Sequence, residues 1–360
     1  MKSPEHGGNV LQTARELGLS PEAILDFSAS INPHGVPQGV LAAIRASLAR
    51  IQHYPEIDGG SLREALAAHH RLPAEHFLPG SGSTELIYLL PRVLRPRRAL
   101  LVAPCFSEYE RSLSQVGCAV EFLPLSPADG FSFDPQRLLN RLEPDTDLIL
   151  IANPANPTGR ATPPEALLDL AARVREQALV LIDEAFVDFC PEHSLLPYLG
   201  KERNLFVLRS LTKFYAIPGL RAGYLAGPPR TVARLAQARE PWTLSTPALA
   251  AAHACLAEEA FRRQTWELIP QWREQLQRGL EELGLRVFSS SANYLLARLG
   301  EGAPSATQVS AGLREKGILL RDCSNFPGLD QRYVRAAVRL PDENRRLLAA
   351  LRLILQKSDI

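Results

Sequence analysis

The sequence predicts an α/β protein: a mostly parallel sheet with helices on both faces, followed by a smaller C-terminal α+β domain. Two observations carry that expectation. Between residues 99 and 226, short apolar runs alternate with amphipathic stretches, the pattern of βαβ units whose strands are buried on both sides. Beyond Pro229 the texture changes to long helices rich in alanine and arginine, and then to shorter strands. A third observation concerns placement: Asn153, Asn156, Asp183 and the segment Ser210 to Lys213 all fall just past expected strand ends, where open α/β sheets bind ligands.

Composition narrows the function classes. The 360 residues give room for two domains, and 46% hydrophobic with 22% charged residues is the balance of a globular protein with a full core. A net charge of +1 leaves no bulk attraction to nucleic acid or a membrane surface. No apolar run approaches the roughly 20 residues needed to span a bilayer. The first residues lack the apolar core of a signal peptide. Cys105, Cys118, Cys190, Cys255 and Cys323 are an odd, dispersed set without paired metal spacing. The expectation is a cytoplasmic protein with reduced thiols and no metal.

The elements follow in order. Residues 1–33 are expected to form an arm: His6-Gly7-Gly8-Asn9 is a polar, flexible start, and Ser20-Pro21 opens one short helix before the turn-rich stretch 26–33. A large domain is expected over residues 34–239. It begins with a helix from Gln38 to about Ile51, and Ser61-x-x-Glu64 reads as a capping box for the next one. Leu78-Pro-Gly-Ser-Gly-Ser-Thr-Glu85 reads as a turn into a helix start, whose bare N–H groups suit an anion. Strands are expected near residues 99–103, 120–125, 147–152, 178–183, 205–208 and 224–226, with helices between them. Thr162-Pro-Pro-Glu165 is a second candidate capping box. A small domain is expected over residues 240–360, with a helix running from Thr246 past Trp272 to Leu283, four strands near 285–288, 293–299, 318–321 and 333–337, and a closing helix.

The chemistry concentrates in Leu208-Arg-Ser-Leu-Thr-Lys-Phe-Tyr-Ala-Ile-Pro-Gly-Leu-Arg221. A lysine held among apolar residues loses hydration, which lowers its pKa and frees its amine for condensation with a carbonyl. Ser210 and Arg221 are residue types that grip a phosphate. An amine beside a phosphate clamp is what pyridoxal phosphate requires. Asn153-Pro-Ala-Asn-Pro-Thr-Gly159, Asp183-Glu-Ala-Phe186 and Ser210-Leu-Thr-Lys213 with Arg221 occur in that order, each after an expected strand. Together they resemble the fold-type I pyridoxal-phosphate enzymes of the class I/II aminotransferase superfamily, over essentially the whole chain.

The resemblance implies a role for each residue. Lys213 would condense with the cofactor aldehyde, and Asp183 would face the pyridine nitrogen. Asn156 would donate to the ring oxygen, and Phe106 would stack on the ring. Ser83, Thr84, Ser210 and Arg221 would hold the cofactor phosphate, helped by Tyr54 from a second subunit of a homodimer. Arg335 would bind the substrate α-carboxylate, near Asn156. His6, Gly7 and Arg321 would bind a substrate phosphate together with Ser30, a position where asparagine is more usual in such enzymes.

The stretches His6-Gly-Gly-Asn9, Leu25-Asp-Phe-Ser-Ala-Ser-Ile-Asn-Pro33 and Arg321-Asp-Cys-Ser-Asn-Phe-Pro-Gly-Leu329 narrow the resemblance. They look like the branch that decarboxylates L-threonine O-3-phosphate to (R)-1-aminopropan-2-ol phosphate in cobalamin synthesis. The histidinol-phosphate aminotransferases are the near relatives, and they usually carry tyrosine where Phe186 stands. Residue types alone leave decarboxylation and transamination open, because both reactions can use an arginine such as Arg335.

Overall fold

The computed structural model describes residues 6–356. The first five residues of the expected arm and the last four of the chain lie outside the described residues. A two-residue strand, β1 (Leu25–Asp26), comes first in the chain. The central sheet is built from β2 (Phe77–Gly80), β3 (Arg98–Ala103), β4 (Ala119–Pro124), β5 (Thr146–Ala152), β6 (Leu179–Asp183), β7 (Leu205–Ser210) and β8 (Gly223–Ala226). These seven lie in the order β2-β8-β7-β6-β5-β3-β4. All contacts are parallel except those of β8, which is antiparallel to both its neighbours.

Alternation along the inner strands divides the large domain into two cores. Ile149 and Ile151, Val180 and Ile182, and Leu205 and Val207 point into one apolar cluster. Leu148 and Leu150, Leu181, and Phe206 and Leu208 point into the other. Strands buried on both faces must be apolar at every position, and this is the continuous apolar signal read from the sequence. The strand order reverses between β3 and β5, which opens a crevice beyond their carboxyl ends.

The small sheet runs β12 (Arg321–Asp322), β13 (Tyr333–Ala337), β10 (Tyr294–Arg298), β9 (Arg286–Val287), antiparallel throughout. The arm joins it. The first strand pairs in parallel with β11 (Ile318–Leu319), and Ala337 N–H donates to Phe27 O at 2.9 Å. Leu25 and Phe27 are buried in the same cluster as Leu295, Leu313 and Leu347. The backbone of Asn32 then donates to Lys213 O at 3.0 Å, tying the arm to the loop that carries the lysine.

Several expectations are corrected. Neither capping box forms. The helix Gly60–His70 starts one residue before Ser61, whose N–H donates to Glu56 instead, and the helix Pro164–Arg173 is entered through Pro163 while Thr162 N–H donates to Asn153. Residues 77–80 are an edge strand rather than part of a turn, tolerated there because proline costs no inner ladder bond. The arm's helix is Val10–Leu17, and Pro21–Ala23 is a single 3-10 turn. The long helix after residue 246 breaks at Glu258 into Thr246–Ala257 and Glu259–Glu282. The helix Ala306–Arg314 was not expected, although Ser305 and Gln308 form a true capping box at its start.

Candidate active site

A cavity of about 340 Å³ lies where β3, β5, β6 and β7 end. From the large domain, Ser83, Thr84, Phe106, Asn156, Asp183, Lys213 and Arg221 line it. From the arm and small domain, His6, Gly7, Ser30, Arg321 and Arg335 line the opposite side. Of the residues expected at the site, only Ser210 and Tyr54 stand off the lining.

Lys213 sits in a single helical turn, Leu211–Phe214, immediately after β7. Its Nζ donates to Thr212 Oγ1 at 2.9 Å and lies 5.8 Å from the Phe186 ring centre. Burial pulls its pKa down to about 8, the nearby Arg221 and Arg335 cations push the same way, and Asp183 opposes them. The free-amine fraction at neutral pH rises by about two orders of magnitude over an ordinary lysine.

Asp183 closes β6 at the cavity floor. Burial pushes its carboxyl up, against hydrogen bonds from Tyr109 Oη at 2.6 Å to Oδ2 and from Ala185 N–H at 2.9 Å to Oδ1. Both donors are neutral. The next carboxylate, Glu184, faces away from the cavity and meets the Arg209 guanidinium at 3.0 Å, with Ser194 Oγ and Leu195 N–H also donating to it.

An anion seat lies between strand ends and a helix start. Gly80, Gly223 and Ser210 are side by side across β2, β8 and β7. The helix Gly82–Leu94 begins there, with Ser83 and Thr84 in its first turn. Glycine is required at two points. A Cβ on Gly223 would lie 2.6 Å from Arg209 O and 2.9 Å from Ser83 N, and one on Gly82, at φ +76°, would lie 2.6 Å from Arg221 Nη2. Helix N–H groups and a guanidinium thus converge on one spot. The Ser210 hydroxyl pairs with Thr212 Oγ1 at 2.8 Å, so it braces the lysine's own partner.

The residues present fit pyridoxal phosphate. A low-pKa amine, a buried carboxylate with only neutral hydrogen-bond donors, the Phe106 ring and an N–H cradle too tight for a Cβ all line the same cavity. Asn156 Oδ1 accepts from Arg335 Nη1, which leaves the Asn156 amide N–H groups to donate into the cavity.

On the opposite side, Arg335 Nη2 donates to Ser28 O at 2.7 Å and its guanidinium lies 5.1 Å from the Tyr294 ring centre. Arg321 is buried, donates to Asn325 Oδ1 at 2.9 Å and packs on Phe326. His6 Nε2 lies 3.0 Å from Glu108 Oε1, and Gly7 is pressed so close to Ser28 O that a Cβ would sit 2.2 Å away. The Ser30 hydroxyl is buried without a hydrogen-bond partner. Tyr54 is 83% exposed, lines a separate groove and lies with its ring tilted against Trp242.

Glu108 and Tyr109 were not singled out from the sequence. Tyr109 follows Phe106 by three residues at a helix start, which puts both on one face, and that spacing was the available signal.

The sequence pattern of the family described as aminotransferase class I and II matches residues 22–351. The threonine-phosphate decarboxylase of Salmonella typhimurium is 41% identical over 97% of this chain and 96% of its own length. Histidinol-phosphate aminotransferase 2 of Ralstonia nicotianae is 33% identical over 98% of this chain and 94% of its own. The crystal structure of L-threonine-O-3-phosphate decarboxylase from Porphyromonas gingivalis superposes with a TM-score of 0.83 at 28% identity, covering 92% of this chain and 100% of that one.

Proposed function

Since the chain belongs to the class I and II aminotransferase family, fold-type I enzymes that use pyridoxal phosphate, we propose that it decarboxylates L-threonine O-3-phosphate to carbon dioxide and (R)-1-aminopropan-2-ol O-2-phosphate, a step of cobalamin biosynthesis. The observation that carries the choice of reaction is the identity shared with the Salmonella typhimurium decarboxylase across nearly the whole chain.

Bound in the cavity, pyridoxal phosphate supplies a protonated ring that draws electrons from the bond to be broken. The chain supplies the rest. Lys213 Nζ, its pKa lowered by burial, would offer a neutral amine to the cofactor aldehyde and would hold the proton returned to the substrate α-carbon. Asp183, which lines the cavity, would pair with the ring nitrogen. Ser83, Thr84 and Arg221, which line the cavity, would hold the cofactor phosphate, and Phe106 would pack on its ring, while Ser210 fixes Thr212 beside the lysine. Arg335 takes the substrate α-carboxylate, while His6, Gly7, Ser30 and Arg321 take its phosphate. Gripping the substrate at both ends would limit rotation about its Cα–N bond and so select which bond at the α-carbon is broken.

The working form in this reading is a cytoplasmic homodimer. Tyr54 is exposed next to Trp242, and Ile51 and Ile57 nearby in the chain are exposed too; in a homodimer Tyr54 would reach the cofactor phosphate of the second copy. No helix among the described residues is long and apolar enough to cross a membrane.

Purified protein loaded with pyridoxal phosphate should release carbon dioxide from threonine phosphate with no oxo-acid present. The likeness to histidinol-phosphate aminotransferases supports a second reading, transamination of a phosphorylated amine. A strict requirement for 2-oxoglutarate, with glutamate as product, would replace the first reading by the second.

A further inference from the structure

Asp183 and Tyr109 form a pair whose purpose goes beyond packing. The Tyr109 hydroxyl donates to Asp183 Oδ2 at 2.6 Å, and both residues are buried. The tyrosine ring is fixed edge-on to Phe106, with ring centres 5.7 Å apart, so the hydroxyl has little freedom to leave the carboxylate. The other carboxylate oxygen accepts from Ala185 N–H. Asp183 therefore lines the cavity with one neutral donor fixed on each carboxylate oxygen.

We infer that Tyr109 is a positioning residue that keeps the proton of the Asp183–cofactor pair on the cofactor's ring nitrogen. This rests on the reading of the cavity as a pyridoxal-phosphate site. A carboxylate buried away from water has a raised affinity for protons and competes with the pyridine nitrogen for the one they share. A donated O–H bond stabilises the ionised carboxylate far more than the neutral acid, because charge-assisted bonds are about twice as strong as neutral ones. Tyr109 thereby favours carboxylate with pyridinium over carboxylic acid with neutral pyridine. The phenol keeps its own proton throughout, since burial and the adjacent carboxylate push its pKa well up. Only a protonated ring is a strong electron sink, so the hydroxyl acts on the reaction through Asp183 without touching substrate.

Tyr109→Phe removes one oxygen and leaves the ring in place. With pyridoxal phosphate labelled with nitrogen-15 in its ring, the nitrogen resonance of the wild-type protein should report pyridinium. In Tyr109→Phe it should move toward the neutral pyridine value, and cofactor affinity should fall about tenfold, the effect of losing one charge-assisted bond. Tyr294→Phe is the control: its equally buried hydroxyl donates to Ala155 O at 2.9 Å, so its loss should leave the nitrogen resonance where it was. An unmoved resonance in Tyr109→Phe overturns the inference whether or not affinity falls, because lost packing alone can weaken binding. Should that variant not fold, a fluorinated tyrosine at position 109 retains the shape and donates more strongly. It should keep the pyridinium signal and bind cofactor at least as well as wild type, and weaker binding overturns the inference. Wild-type protein that takes up no pyridoxal phosphate would sink the cofactor reading instead, so the two failures are distinguishable.

Discussion

The two sides of the cavity are built differently. On the large-domain side, each group is set at the ends of one sheet: Lys213 bonds the adjacent Thr212, Asp183 bonds Ala185 and the helix-borne Tyr109, and the anion seat joins three adjoining strand ends. On the arm side, the bonds join separate parts of the fold. His6 meets Glu108 across 102 residues, and Arg335 meets Asn156 across 179 and Ser28 across 307. The first side is a property of one sheet, whereas the second exists only when arm, large domain and small domain come together. Cofactor binding should therefore survive damage to the substrate side, while loss of a sheet-borne group should abolish both.

The harshest test of that asymmetry is Lys213→Ala. It should remove the visible absorbance of bound cofactor and lower turnover by about a thousandfold or more, as expected for loss of a residue that is both nucleophile and proton donor. Residual turnover near wild type would show that the amine lies elsewhere. The complementary variant is Arg321→Ala, on the arm side. Losing a guanidinium from a phosphate should lower kcat/KM for threonine phosphate by roughly 10- to 100-fold, chiefly through KM, with the cofactor spectrum unchanged. A vanished spectrum would move Arg321 to the other side of the comparison.

Smaller effects sharpen the picture of the large-domain side. Gly82→Ala places a Cβ against Arg221 Nη2 at a left-handed backbone position, and cofactor affinity in a fluorescence titration should fall about tenfold. Capture of free pyridoxal phosphate should depend on pH through Lys213. Its pKa is lowered to about 8, and only the neutral amine attacks, so capture should rise about tenfold from pH 7 to pH 9 and then level off. Stopped-flow rates that kept climbing above pH 9 would mean the lysine is not desolvated.

The same asymmetry explains what could be read in the sequence. Strands buried on both faces leave unbroken apolar runs, and residues at their ends sit in short motifs, so the sheet, Asp183, Lys213 and the anion seat were legible. Tyr109 and Glu108 were missed because each acts through a partner 74 or 102 residues away. The false capping boxes at Ser61 and Thr162 had the right letters. In each case a side chain from the preceding loop, Glu56 or Asn153, claimed the backbone N–H. The break at Glu258 left no mark because no proline or glycine stands there. Phe27 and Leu25 read as a bare arm, yet they are core residues of the small domain.

Ser30 offers the mildest test, and it runs toward gain. Its hydroxyl is buried, lines the cavity on the arm side and has no hydrogen-bond partner, so its polar group contributes nothing to the fold that a larger amide would forfeit. Asparagine reaches farther than serine and carries two N–H donors. If the arm side holds the substrate phosphate, Ser30→Asn should lower KM for threonine phosphate by about two- to tenfold, the value of one net hydrogen bond, while kcat and the cofactor spectrum stay as they were. A lower kcat with unchanged KM would mean that position 30 faces the cofactor rather than the phosphate. The two sides of the cavity would then meet nearer to the arm than the long-range bonds of Arg335 imply.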